Sequence, residues 1–167
     1  MKKKLKQLNK FDNPSLATFL ISGFLTGILV LVISVITNSF GEDLLKLSSN
    51  DNYRIVFLVL IEELIRFSAL NFLYSAKANF RVSDLTRAFS FGLGFATFEL
   101  LLVYFNSGIL NLVSVSSSVS LHSLVSIIIF SSVFYKNKSR IFSSLLLFLV
   151  ALVIHSIYNL VIHIYIY

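Results

Sequence analysis

The chain has 167 residues, of which 56% are hydrophobic and 13% are charged, with a formal net charge of +6 and no cysteine. One soluble core of this size cannot bury so much apolar surface, so the composition excludes a soluble domain and predicts an all-α protein embedded in lipid. The lack of cysteine also excludes disulfides and thiol chemistry.

Successive apolar runs of about 20 residues, the length that crosses a bilayer, follow one another along the chain. The predicted spans are 15–39, 54–75, 88–106, 110–134 and 141–163. No repeat or linker interrupts them, so we expect a single membrane domain over residues 1–167. The fold class predicted is therefore a polytopic transmembrane helical bundle of about five spans.

The basic residues lie almost entirely in three segments on one side of this arrangement. These segments contain Lys2, Lys3, Lys4, Lys6 and Lys10, then Lys77, Arg81 and Arg87, then Lys136, Lys138 and Arg140. The positive-inside rule therefore predicts an N-in, C-out protein of the cell membrane. The same rule accounts for the positive net charge, so we expect the lipid bilayer and no nucleic acid as a partner.

The first span follows the basic sequence KKKLK, a pattern that also begins secretory signal peptides. Its apolar run is roughly 25 residues long and lacks an A-x-A-like end, whereas a signal peptide has an apolar region of about 7–15 residues. We interpret it as a retained helix. Gly23 and Gly27 within it form a GxxxG pattern, which predicts close packing inside the bundle, with dimerisation as the alternative. The serine-rich stretch from Ser114 to Ser126 is likewise typical of tight helix contacts.

Ionisable side chains also fall within the predicted spans, where a charge costs about 2.5–3.5 kcal/mol even on a lenient scale. They are Glu62, Glu63, Arg66, Glu99, His122 and His155, with Asn159 as a polar companion. Residues four apart share a helix face, which pairs Glu62 with Arg66 and His155 with Asn159. At 1.5 Å per residue, the acids and histidines lie roughly 10–18 Å from the outer helix ends. We therefore expect these side chains to meet in one site.

Such a site has the groups that hydrolysis requires. Glu62, supported by Glu63 and Arg66, can act as the general base on a water molecule. His122, His155 and Asn159 can position the water and stabilise an oxyanion. Glu99 can orient a histidine, or can bind Zn²⁺ with His122 and His155. No HEXXH motif is present, so metal-free and zinc-dependent mechanisms both remain open.

Four segments in this order resemble the PrsW family of intramembrane proteases, in the superfamily that includes the CAAX-prenyl endopeptidases. Glu62-Glu63-Leu64-Ile65-Arg66 resembles the EExxK/R helix, Gly94 to Glu99 with Tyr104 resembles the GFAxxEN...Y helix, and His122 matches a lone membrane histidine. His155 to Asn159 resembles the closing HGxxN element, and Asp84 resembles an aspartate before the third span. The chain departs at Leu100, where the family has asparagine, at Ser156, where it has glycine, and in lacking proline around His122.

The resemblance implies an intramembrane endopeptidase that cuts a membrane-anchored polypeptide, with an anti-sigma factor as the substrate class. Two other functions remain as alternatives: a catalytically silent membrane scaffold or immunity-type relative, and a small proton-coupled transporter. Glu62 and Arg66 could also be a purely structural pair.

Other polar residues have simpler interpretations. We expect His163 at the membrane interface and Asp84 as a cap or anchor before the third helix. Tyrosines near helix ends are expected in an aromatic belt; these are Tyr53, Tyr158, Tyr165 and Tyr167.

Overall fold

The computed structural model describes the backbone of residues 15–44, 51–74 and 81–166, and the side chains of 15–37, 53–74 and 81–161. Throughout this part of the chain the regular structure is helical. The helices are α1 (Leu16–Leu44), α2 (Asp51–Leu73), α3 (Val82–Ser107), α4 (Leu112–Asn137) and α5 (Ile141–Ile166). The predicted all-α fold and its five helices are therefore confirmed.

Four of the helices are long and apolar enough to cross a membrane. The crossing segments are Leu16–Thr37, Val82–Ser107, Leu112–Asn137 and Ile141–Val161. The remaining helix, α2, is 23 residues long, but Glu62, Glu63 and Arg66 interrupt its apolar sequence. Length and composition thus support a membrane protein. They do not include α2 among the helices that can cross the membrane, so the evidence for its crossing comes from its packing.

Contacts between helices show that the five helices alternate in direction. Gly23 lies against Phe91 and Gly27 against Phe98, so α1 and α3 are parallel. In α2, Arg66 contacts His122, and Tyr74 just after it packs on Phe130; α2 therefore runs parallel to α4. The chain between α1 and α3 must return to the same end of the bundle, and α2 is the helix that returns. This packing supports the predicted fifth span, while the N-in, C-out orientation stays a prediction from charge.

Glycine permits close contact between the backbones of α1 and α3. A Cβ atom added at Gly23 would overlap the carbonyl oxygen of Phe91, and one added at Gly94 would overlap that of Leu20. The predicted close packing of the GxxxG pattern is thus confirmed, and its partner is α3 of the same chain. Gly92 makes a similar contact with the backbone of Ser123, as the serine-rich stretch of α4 predicted.

Helix α3 begins at Val82, six residues before the predicted position 88. The backbone N–H of Arg81 donates to Oδ2 of Asp84 at 2.9 Å, and Arg87 pairs with Oδ1 at 2.8 Å. The helix therefore extends beyond the predicted span, because this polar first turn is also helical. The predicted capping role of Asp84 is confirmed. The helix ends at Ser107, and the next residue, Gly108, has a left-handed φ of 70°, a conformation that favours glycine.

The apolar core lies on one side of the charged residues, towards the end of the bundle where α2 and α4 finish. Its fully buried members include Leu70, Ala88, Ile129, Phe130 and Ala151. Helix α2 packs against α1, α4 and α5, while α3 packs against α1 and α4. This arrangement turns the polar faces of α2, α3, α4 and α5 towards one another just beyond the core.

Candidate active site

All seven predicted site residues belong to one hydrogen-bonded network. Helix α2 contributes Glu62, Glu63 and Arg66, and the other helices contribute Glu99 from α3, His122 from α4, and His155 and Asn159 from α5. Each of these side chains bonds directly to another member of the set. The structure therefore brings together residues that are up to 97 positions apart, from Glu62 to Asn159.

Arg66 lies at the centre of the network and is fully buried. Its Nη2 donates to Oε1 of Glu62 at 2.6 Å and its Nη1 pairs with Oε1 of Glu63 at 3.0 Å. Nη2 also lies 3.0 Å from Nδ1 of His122, and the guanidinium carbon stacks 4.4 Å above the ring centre of Phe95. One guanidinium thus joins three helices. A planar group with five fixed donors suits this role better than an ammonium would.

The contact with Arg66 determines which nitrogen of His122 carries the proton. An arginine can only donate hydrogen bonds, so Nδ1 of His122 accepts and is unprotonated. The proton is then on Nε2, which donates to Oε2 of Glu99 at 2.6 Å. His122 is consequently a neutral ring with both nitrogens engaged.

Ser118 is a member of the network that the sequence analysis missed. Its hydroxyl donates to Oε2 of Glu99 at 2.7 Å, the same oxygen that accepts from His122. The signal was present, because Ser118 is one helical turn before His122 and shares its face. Among the many serines of α4, however, helical spacing alone does not single this one out.

His155 is held by Glu63 on one side and meets Asn159 on the other. Its Nδ1 lies 2.5 Å from Oε1 of Glu63, so the ring donates to this carboxylate. Its Nε2 lies 3.4 Å from the side-chain amide nitrogen of Asn159. The rings of His155 and His122 are edge to face with centroids 5.3 Å apart. The two imidazoles therefore flank the same charged centre.

Accessibility differs sharply among the three acids. The Glu63 side chain is fully buried, whereas those of Glu62 and Glu99 are 14% and 38% exposed. Glu63 therefore holds Arg66 and His155. The edge of the network that another molecule can reach is formed by Glu62 and Glu99.

A metal ion would compete with Arg66 for this site. The two histidines and Glu62, not the predicted Glu99, offer ligand atoms that all lie within 4.8 Å of one another. Arg66 already bonds both Glu62 and Nδ1 of His122, while Nε2 of His122 is engaged with Glu99. His122 thus has no free lone pair for a metal. The donor set fits a guanidinium and does not fit Zn²⁺ while Arg66 stays in place.

The remaining predicted residues lie outside the network or outside the described side chains. Tyr53 is exposed at the start of α2, as a belt residue would be. Tyr158 differs from the belt prediction, because its hydroxyl donates to Ser117 at 2.9 Å and its ring packs on the core. The side chains of His163 and Tyr165 lie outside the described side chains. Lys77, Tyr167 and the basic residues before Ser15 lie outside the described residues altogether.

Comparisons with protein-family models, with curated proteins and with solved structures gave no match to this chain. The resemblance to the PrsW proteases therefore depends on the segments around Glu62, Glu99, His122 and His155, and it stays a prediction.

Proposed function

We propose that this protein is an intramembrane endopeptidase that hydrolyses a membrane-anchored polypeptide, with Glu62 as the general base and Arg66 in place of a metal ion. The observation that carries the proposal is the single network in which three acids, two histidines and an arginine from four helices bond to one another. Charged groups within apolar helices are costly, and such groups usually mark a functional site.

Glu62 is suited to take a proton from water. All of its described contacts with Arg66, His122 and His155 involve Oε1, so Oε2 is available to a water molecule at the accessible edge. A general base must lie within hydrogen-bonding distance of the proton that it removes. Arg66 keeps the carboxylate in one orientation while it does so.

Asn159 and His155 form the complementary side of the proposed site. The amide nitrogen of Asn159 carries two hydrogens, of which His155 can accept one; the other can donate to a developing oxyanion. His122 has both nitrogens occupied, by Arg66 and Glu99. Its role in the proposal is therefore to orient Arg66 and Glu99. The proposal does not include the expected role of His122 in stabilising the oxyanion. The network supports the expectation that Glu99 orients a histidine.

The substrate class follows from the location of the network in a bundle of apolar helices. A polypeptide that reaches Glu62 and Glu99 has to approach from within the bilayer or from its surface, which favours a membrane-anchored protein. Resemblance to the PrsW family suggests an anti-sigma factor, and the cell membrane as the location.

The test is to compare protein N-termini in membranes of cells that produce the wild type or one of several variants. We expect new termini near transmembrane segments with the wild type. Glu62→Gln keeps the shape of the side chain but removes the proton acceptor, so these products should fall by about 10²- to 10⁴-fold. His155→Ala should be comparably damaging. His163→Ala near the end of α5 and Glu42→Gln in the last turn of α1 are controls outside the network that should keep the products. The amount of each protein is measured after detergent extraction.

Equal products from wild type and Glu62→Gln would reject the proposed base. If Glu99→Gln alone abolished the products, the base would be reassigned to α3. If no terminus depended on any of these residues, but proton flux into proteoliposomes did, the transporter alternative would replace the protease.

A further inference from the structure

Glu99 is a partly exposed acid in a membrane-spanning helix, and among the described side chains it has no lysine or arginine partner. Among the described residues, its ion-pair contact within 4.0 Å is with His122. That ring is neutral, because its Nδ1 accepts from Arg66. Two donors, Ser118 and His122, share Oε2 of Glu99, an arrangement that stabilises the ionised carboxylate.

The positive charge of the network is shared unequally among its three acids. Arg66 pairs with both Glu62 and Glu63, and His155 also contacts those two acids. The one guanidinium of the described network is therefore directed to the two glutamates of α2. Glu99 on α3 carries a negative charge that this guanidinium does not neutralise.

An uncompensated carboxylate in an apolar helix is energetically costly. The Glu99 side chain is also the most accessible of the three acids, at 38% exposure. Its Oε1 makes no hydrogen bond with the described residues, as both bonds to Glu99 go to Oε2. A group that arrives at the accessible edge of the site thus meets a free, negatively charged acceptor.

We propose that Glu99 binds a basic side chain, lysine or arginine, of the polypeptide substrate beside the bond to be cut. This inference rests on the proposed protease function and adds a specificity to it. Glu62 lies 3.9 Å from one nitrogen of the His122 ring, and Glu99 lies 2.6 Å from the other. The two carboxylates thus lie on either side of one imidazole ring, and an extended peptide advances about 3.3 Å per residue, so the basic residue lies within about three positions of the scissile bond.

The experiment measures binding, so that it does not depend on cleavage. The probes are fluorescent single-span peptides of about 20 leucines and alanines, with lysine, norleucine or glutamate at one position. That position is eight residues from one end of the span, which matches the distance from Glu99 to the end of α3 at Ser107. Binding to the full-length Glu62→Gln protein in lipid nanodiscs is followed by fluorescence anisotropy.

We expect the lysine peptide to bind at least about 10-fold more tightly than the norleucine peptide, a difference typical of a desolvated charge pair. Glu99→Gln should abolish the difference, and Glu99→Lys should transfer the preference to the glutamate peptide. Circular dichroism shows whether each variant keeps its helical structure. If Glu99→Lys does not fold, the result for Glu99→Gln is sufficient to test the inference.

Equal binding of the lysine and norleucine peptides, or no binding of either, would overturn the inference. So would a lysine preference that persists in Glu99→Gln. A Glu99-dependent preference without any cleavage by the wild type would support the basic-residue site and reject the protease, so the two proposals fail separately.

Discussion

Nη2 of Arg66 lies 3.0 Å from Nδ1 of His122, across the interface between α2 and α4. Because arginine has no acceptor, this contact leaves His122 unprotonated at Nδ1 and directs its Nε2 proton to Glu99. The same Nη2 holds Glu62 at 2.6 Å. One buried nitrogen therefore orients both the proposed base and the ring that supports Glu99, which makes Arg66 the residue on which the geometry of the site depends.

Arg66→Gln should strongly destabilise the protein, because it leaves the carboxylate of Glu63 buried beside a neutral side chain. Removing one partner of a buried pair costs about 3–5 kcal/mol. The double variant Glu63→Gln/Arg66→Gln should recover part of this loss. Unfolding in detergent, followed by circular dichroism, measures the effect. Lys136→Gln, at an exposed position, is the control. A single Arg66→Gln variant as stable as the wild type would show that the pair contributes nothing.

The wild type should hold no stoichiometric zinc, and Arg66→Ala should acquire a zinc site. Without the guanidinium, Glu62, His122 and His155 have ligand atoms close enough to share one ion. Elemental analysis of protein purified with a non-metal affinity tag, after incubation with zinc and desalting, measures the content. Arg66→Ala/His122→Ala is the control and should lose the ion. One zinc per wild-type chain would contradict the idea that Arg66 replaces a metal.

Gly23→Ala and Gly94→Ala should each destabilise the bundle, by about 1–3 kcal/mol as expected of overpacking. In both cases the new methyl group meets a backbone carbonyl, of Phe91 or Leu20, that cannot move alone. Gly27→Ala should be milder, because its methyl group meets the Phe98 side chain. Thermal unfolding in detergent ranks the three variants. If Gly23→Ala separated a dimer without changing the stability of the monomer, the GxxxG pattern would have an intermolecular role instead.

Single cysteines at Ser49 and Asn137 should react with a membrane-impermeant maleimide from opposite sides, with Asn137 in the cytoplasm. The natural chain has no cysteine, so each label reports one position. Asn137 is predicted to lie in the cytoplasm because basic residues are concentrated near it. Ser49 lies between α1 and α2, outside the described residues. A cysteine at the exposed Ile109 should label from the same side as Ser49. Labelling of Ser49 and Asn137 from one side would contradict both the topology and the alternation of the helices.

The sequence by itself determined that the protein is surrounded by lipid, that its fold is helical, and which side chains need a polar partner. Apolar runs of membrane length predict helices because an isolated backbone must satisfy its own hydrogen bonds in lipid. Acids and histidines inside such runs are costly wherever they face lipid, so Glu62, Glu99, His122 and His155 were identifiable as residues that should turn inward. Helical spacing also paired Glu62 with Arg66, since both lie within one element.

Only the tertiary structure decided how these groups divide their contacts. Glu62 and Glu63 are neighbours about 100° apart around α2, and the packing of α5 against α2 determines that Glu63 is buried against His155 while Glu62 stays accessible. The contact of Arg66 with His122 and the role of Ser118 likewise depend on the register between helices. That register is set by close contacts such as Gly92 against Ser123, which join residues far apart in the chain and therefore leave no periodic signal within any one helix.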